Sequence, residues 1–264
     1  MGELEQARHR KELADALAAI KNKYLVMSGK GGVGKTTVAV NLAAAKAAEG
    51  KAVGILDVDL HGPSVAVALG LEGSLGTNEK GKLVPADLDY GLKAVSIQGL
   101  LKRPDEAVIW RGPKKVRAIE QFFSEVAWGE LDYLFIDAPP GTGDESLTVL
   151  RVLSDVKPLV VTSGSRLSIA DVAKALNFLK LTKRPAMGLI DNQSHYICPK
   201  CGLETAIHKR EAVKRLAEES GVELLASLPL DLDAAAAAEE GRPLVWSRPG
   251  HPFSRLMINL ASRL

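Results

Sequence analysis

The chain has 264 residues, 46% hydrophobic and 25% charged, enough for one sizeable core and better suited to one large domain than to two small ones. Its 34 basic and 32 acidic residues leave a net charge of +2, so no global charge steers it toward nucleic acid or an anionic surface. No apolar run approaches the ~18 residues of a membrane span. The charged start MGELEQARHRKEL excludes a signal peptide, and Gln6 stands where a myristoylation signal needs Ser or Thr, so a soluble, cytosolic protein is expected.

Residues 3–21 read as a helix, with Leu13, Ala16, Leu17 and Ile20 on one apolar stripe. Near-continuous apolar runs follow at 24–28, 52–59, 92–97, 133–138, 158–163, 186–191 and 222–230, as in strands buried on both faces. Helical patterns lie near 35–49, 113–127, 144–154, 168–182, 209–220 and 251–263. Strand alternating with helix gives βαβ units, hence an α/β fold with a mostly parallel sheet and helices on both faces. Lys80-Gly81-Lys82 between two extended runs points to a β-hairpin insert over 74–97, and the alanine run 234–238 reads as a helix surface. Ligands of such sheets bind at the carboxyl ends of the strands, which draws attention to the loops 28–36, 59–65, 138–145, 163–168 and 191–202.

The first of these loops is SGKGGVGKTT. Gly29 to Thr36 satisfies G-x-x-x-x-G-K-[ST] between a strand and a helix, the context of a single P-loop NTPase domain. Gly29, Lys30, Gly31, Gly32, Val33, Gly34, Lys35, Thr36 and Thr37 are therefore expected to cradle the phosphates of ATP, with Lys35 reaching the β/γ-phosphates and Thr36 binding Mg²⁺. Asp57 and Asp59 close one buried strand and Asp137 another, and an acid there is too costly to be idle. Asp137 is assigned to Mg²⁺ through water and Asp59 to orienting the attacking water. Asp57 suits loop hydrogen bonding at least as well as chemistry. Gly141, in APPGTGD, is a candidate N–H donor to the γ-phosphate within a switch over 138–144.

Lys30 is an extra lysine inside the loop. It resembles the deviant P-loop class of partition, septum-site and nitrogenase iron proteins, in which this lysine contacts phosphates of the other subunit. That resemblance implies a face-to-face homodimer and a cation supplied in trans, worth ~10³–10⁵ in rate.

Cys198 and Cys201, in YICPKCG, are the only two cysteines. A four-coordinate Zn²⁺ or an iron–sulfur cluster wants four ligands, and one chain offers two thiolates. His195 and His208 offer a mixed zinc site, and a pair of structural thiols is the plain alternative. If the pair lies near a two-fold axis, two chains supply four thiolates.

SGKGGVGKTTVAVNLA, LDVDLHGPS, WRGP (110–113), DYLFIDAPPGTGDESLT and YICPKCG together resemble, in order, the motifs of the Mrp family of iron–sulfur cluster carrier ATPases, from about Lys23 to Pro243. The resemblance implies an ATP-binding homodimer that bridges a [4Fe–4S] cluster through Cys198 and Cys201 and passes it to apo iron–sulfur proteins; from charge and hydropathy, no nucleic acid or membrane partner is expected. It also implies that Asn192 reads adenine. Asp191-Asn192-Gln193-Ser194 replaces the family's usual Glu-Asn-Met-Ser, and Ser163-Gly164-Ser165 stands where Pro-Gln is common. With no cysteine before 198, the N-terminal cluster motif of some members, like the N-terminal domain of many bacterial ones, is expected to be absent. Two other readings compete. One is a positioning ATPase whose basic tail, HPFSRLMINLASRL, lies on a membrane; the favoured reading of that tail is a helix packing Phe253, Leu256, Met257 and Leu260 on the core. The other is an ATPase with a structural inter-subunit zinc.

Overall fold

The computed structural model describes residues 3–59, 62, 64–96 and 112–264. Ile97 of the strand expected over 92–97, Trp110 and Arg111 of WRGP, and Leu60, His61 and Pro63 of the 59–65 loop lie outside them. Helix α1 (Glu3–Ala18) is followed at once by β1 (Ile20–Ser28), so the expected helix stops three residues early and Ile20 enters the sheet. The remaining central strands are β2 (Val53–Asp57), β4 (Lys93–Ser96), β5 (Leu131–Asp137), β6 (Lys157–Thr162), β7 (Gly188–Ile197) and β9 (Leu224–Leu230). They run parallel in the order β4-β2-β5-β1-β6-β7-β9. Two short antiparallel strands attach to this array, β3 (Ala86–Asp87) on β4 and β8 (Glu204–Ala206) on β7.

The centre of the sheet is dry because its strands carry almost no polar residue between their ends. Tyr24, Leu25, Val26 and Met27 of β1 and Leu134, Phe135 and Ile136 of β5 are all fully buried. One face packs on α2 (Lys35–Ala48), α8 (Leu232–Glu239), α9 (Leu244–Ser247) and α10 (Pro252–Ser262), through residues such as Val38, Leu42, Ala237, Trp246 and Phe253. The other face packs on α4 (Gly112–Ser124), α5 (Asp144–Val152), α6 (Arg166–Leu181) and α7 (Arg210–Ser220), through Ile119, Phe122, Val149, Leu176 and Val213. α2 is buried along most of its length, and the alanines Ala39, Ala43, Ala44, Ala45 and Ala47 let its neighbours approach closely. Within the alanine run, Ala234 and Ala237 point inward and Ala235 and Ala236 outward, so α8 is half surface and half core.

Several elements differ from their expected extents. The Lys80-Gly81-Lys82 turn is present, closed by Asn78, whose side chain accepts the N–H groups of Lys80 and Lys82 at 3.0 Å. Its flanking runs form only one antiparallel bridge, Thr77 with Leu83; the hairpin ladder lies instead between β3 and β4. Strand β7 runs on to Ile197, six residues past the expected end, because β8 and β9 pair with the extension. The short helices α3 (Val65–Ala68) and α9 were not expected.

The basic tail packs on the core. Phe253, Met257 and Leu260 of α10 are buried, whereas Leu256, expected to join them, is 36% exposed. His251 caps the helix by accepting the Phe253 N–H, and the Tyr24 hydroxyl donates to the carbonyl of Leu264 at 2.6 Å. Phe253→Ala is expected to destabilise the chain by roughly 3–5 kcal/mol through the cavity it leaves, read from the midpoint of urea unfolding.

Candidate functional site

The loop after β1 turns through left-handed glycines, Gly32 at φ 79° and Gly34 at φ 77°, and then opens α2. Two other glycine positions are set by crowding. A Cβ on Gly29 would lie 2.4 Å from the backbone of Asp171 in α6. A Cβ on Gly34 would lie 2.2 Å from Nδ2 of Asn192. Around Gly31 and Gly32 there is open space, the concave side on which successive N–H groups can meet an anion.

Asp57 and Asp137 are register partners on adjacent strands β2 and β5, and neither is exposed at all. Lys35 Nζ donates to Asp137 Oδ1 at 2.6 Å and the Thr36 hydroxyl donates to Oδ2 at 2.6 Å. Ser64 Oγ lies 2.6 Å from the same hydroxyl. Asp57 accepts the N–H groups of Asp59, at 2.9 Å, and Val65, at 3.0 Å, so it anchors the loop and the start of α3. Burial pushes the Asp57 carboxyl up to about 8, and the neighbouring Asp137 adds to the push. Burial also pushes Asp137 up, with the Lys35 ammonium and Thr36 hydroxyl opposing it. Two buried carboxyls facing one ammonium and two hydroxyls form a hard-oxygen donor set short of positive charge, which fits Mg²⁺.

The structure thus brings Lys35, Thr36 and Asp137 together, with Ser64, which the sequence reading missed. Its signal was a lone hydroxyl ending LDVDLHGPS. Asp59 is buried close by, with its Oδ1 accepting the Gly62 N–H at 3.1 Å. The N–H of Gly141, at φ 90°, donates to the Ser28 carbonyl at 2.8 Å, so meeting a γ-phosphate requires that bond to break. The Lys30 ammonium makes no hydrogen bond or ion pair among the described residues, and its carbonyl accepts from Ser28 Oγ at 2.9 Å. The Thr37 carbonyl accepts from Asn41 at 2.9 Å inside α2. Asn192 is buried, and its Nδ2 donates to the carbonyl of Val33 at 2.8 Å. In the 163–165 loop, Ser165 caps α6 by accepting the Ser168 N–H, which gives Ser163-Gly164-Ser165 a plain structural task.

Cys198 and Cys201 are free thiols at the tip of the β7–β8 ribbon, Cys201 exposed and Cys198 partly so. The turn closes through Cys198 N–H to the Leu203 carbonyl at 2.9 Å and Gly202 N–H, at φ 71°, to the Cys198 carbonyl at 2.8 Å. The backbone N–H groups of Lys200 and Cys201, and then the Cys201 thiol, hold the Cys198 thiol below its ordinary range. A knuckle that favours the thiolate suits a soft metal or a cluster. The histidines do not complete it: His195 Nδ1 lies 2.7 Å from Ser194 Oγ, and His208 packs on Gly164. Among the described residues, the one trio of His, Cys, Asp or Glu close enough to share an ion is Asp231, Asp233 and His251. That trio is already engaged: Asp231 caps α8, Asp233 pairs with Arg248 and His251 caps α10.

Residues 19–264 match the family model described as NUBPL iron-transfer P-loop NTPase. The chain is 44% identical over 246 residues to an iron–sulfur cluster carrier protein of Saccharolobus solfataricus, covering 93% of this chain and 83% of that one. It is 42% identical to the human cytosolic Fe–S cluster assembly factor NUBP2, covering 94% and 93%. Among solved structures, a nucleotide-binding protein of Archaeoglobus fulgidus in complex with ADP superposes with a TM-score of 0.79 at 35% identity, covering 93% of this chain and 95% of that one. A phosphate loop backed by buried acids and an exposed cysteine knuckle, matched along nearly the whole length, place the chain in the NUBPL iron-transfer P-loop NTPase family.

Proposed function

We propose that this chain binds and hydrolyses ATP in the cytosol and carries a [4Fe–4S] cluster as cargo, held by Cys198 and Cys201 of two copies, for delivery to apo iron–sulfur proteins. The observation that carries the reading is the half-site: an exposed, unbridged cysteine pair with no third ligand among the described residues of its own chain. A second copy supplies the missing pair. Ile197, Leu203 and Ile207 on the same ribbon are exposed apolar side chains, 38%, 65% and 39%, that such an interface would cover. The Asp137–Lys35–Thr36 group supplies the chemistry at the other end. Lys35 meets the β/γ-phosphates, Thr36 and Asp137 would hold Mg²⁺, directly and through water, and Mg²⁺ when bound neutralises phosphate charge. Lys30, with its ammonium uncommitted, reaches the partner's phosphates. Asp59 orients the water, and Gly141 turns its N–H from Ser28 to the γ-phosphate.

The positioning alternative loses its main support, since the apolar face of α10 is spent on the core. Structural zinc remains the competing outcome of the metal experiment. Anaerobic reconstitution with iron and sulfide is expected to give about four Fe and four sulfide per dimer and a broad band near ~400 nm. One Zn²⁺ per dimer that resists replacement would make the knuckle a structural clamp instead. Cys198→Ala should lose the cluster yet bind ADP as cluster-free wild type does; full cluster retention would exclude Cys198 as a ligand.

Asn192 yields a second test. With Nδ2 donated to Val33, the amide offers its oxygen to a base. An acceptor matches the exocyclic amine of adenine and opposes the carbonyl of guanine. ADP is expected to bind tighter than GDP by roughly tenfold or more, since two acceptors left facing each other cost ~1–3 kcal/mol. Asn192→Ala should narrow that ratio, measured by calorimetric titration of both nucleotides.

A further inference from the structure

Strand β7 is irregular where it passes the P-loop. Its register with β9 slips between Asp191 and His195: those two residues pair with Ser227 and Pro229, so four steps along β7 match two along β9. Gln193 sits inside this bulge at φ 57°, a conformation uncommon for a residue with a side chain. In a regular strand, neighbouring side chains point to opposite faces. Here two consecutive side chains converge on one spot: a Cβ on Gly34 would lie 2.2 Å from Nδ2 of Asn192 and 3.8 Å from Nε2 of Gln193. Bulges that re-aim a side chain are characteristic of functional sites.

The ribbon begins directly beyond the bulge. Ser194 Oγ donates to the Leu228 carbonyl at 3.0 Å and lies against His195 Nδ1, and the Ser194 carbonyl accepts the Ile207 N–H at 3.1 Å. His195, Tyr196 and Ile197 then pair with Ala206, Thr205 and Glu204, and the next residue is Cys198. The segment that presents the cysteines is therefore rooted on the P-loop through the Asn192–Val33 hydrogen bond, with the amide of left-handed Gln193 beside Gly34.

We propose that Gln193 is a positioning residue of the nucleotide site and the joint through which the P-loop and the cysteine ribbon act on one another. A P-loop drawn around phosphates shifts Val33 and Gly34; the bulge seated on them shifts with them, and the ribbon turns about its root. The coupling is reciprocal: whatever factor nucleotide imposes on the knuckle's affinity for its metal cargo, an occupied knuckle imposes on nucleotide affinity. This proposal rests on the nucleotide reading of the P-loop and needs no assumption about which metal the cysteines take.

The test uses the full, reduced, metal-free chain. Its probes are the affinity for ADP with Mg²⁺, by titration, and the rate at which iodoacetamide alkylates the two cysteines, with and without saturating nucleotide. Wild type is expected to change its alkylation rate by roughly fivefold or more. Gln193→Gly keeps the left-handed backbone and the Asn192–Val33 bond but removes the amide beside Gly34, so the response should fall by at least half, even at saturation, with ADP bound several-fold more weakly. If that variant does not fold, Gln193→Asn stands in: Asn tolerates positive φ, and its amide is one methylene too short for Gly34, so the same loss is expected. Equal alkylation rates with and without nucleotide in wild type, or a response undiminished in either variant, would overturn the proposal. A chain that binds no ADP would overturn the nucleotide reading as well, whereas ADP binding without a thiol response overturns the coupling alone.

Discussion

Two carboxyls buried side by side at the ends of β2 and β5 are the constraint around which this domain is arranged. Taking each charge out of water costs several kcal/mol, and nothing apolar in the surrounding core can offset it. The compensation comes from separate pieces of chain that must converge there. Lys35 and Thr36 arrive from the start of α2, Ser64 and the Val65 N–H from the start of α3, and the Asp59 N–H from the loop between. Strand order makes this possible: β5 lies between β1 and β2, so the acid of β5 stands beside the loop that leaves β1. The charge deficit that remains is what adapts the site to a divalent cation and a phosphate chain.

β7 meets a different constraint. Its first half is an interior strand between β6 and β9, and its second half is the inner strand of an exposed ribbon. A straight strand would hold both halves in one plane and aim only alternate residues at the P-loop. The bulge at 191–195 changes the direction of the strand and spends a left-handed residue to do it. Gly34 is the matching concession on the other side, since any side chain there would strike Asn192.

How much of this was legible in the sequence follows from how local each feature is. Buried parallel strands show as continuous apolar runs, and a phosphate loop is defined by residues within a few positions of one another, so the sheet, α2, Lys35, Thr36 and Asp137 could all be read. β8 could not: Glu204-Thr205-Ala206 is exposed, three residues long and has no apolar pattern, and it is a strand only because β7 passes beside it. The extension of β7 was hidden for the same reason. In α3, Val65-Ala66-Val67-Ala68 is too short to show a helical period, and its valines favour strand. Leu256 fits the apolar stripe of α10 by spacing, yet the core ends before reaching it. Ser64 on Thr36, and Asn192 on Val33, join residues 28 and 159 positions apart, and no local rule connects such pairs.

The two sites that β7 joins differ most in their exposure, and the difference has a chemical consequence. Asp57 and Asp137, behind the P-loop, are wholly buried and out of reach of bulk water. The cysteines stand at a ribbon tip, with backbone N–H groups that favour the thiolate and no disulfide to block it. A permanent metal centre is better served by ligands closed inside a core and fixed by surrounding hydrogen bonds. Cargo needs the reverse: ligands that an incoming thiolate can approach and replace one at a time, in a site that is complete only while two copies face each other. Under the proposed function, an exposed half-site is therefore the form that release requires, and its control must come from elsewhere in the chain. The strand that carries the cysteines is the one that touches the phosphate loop, which puts that control within reach of nucleotide.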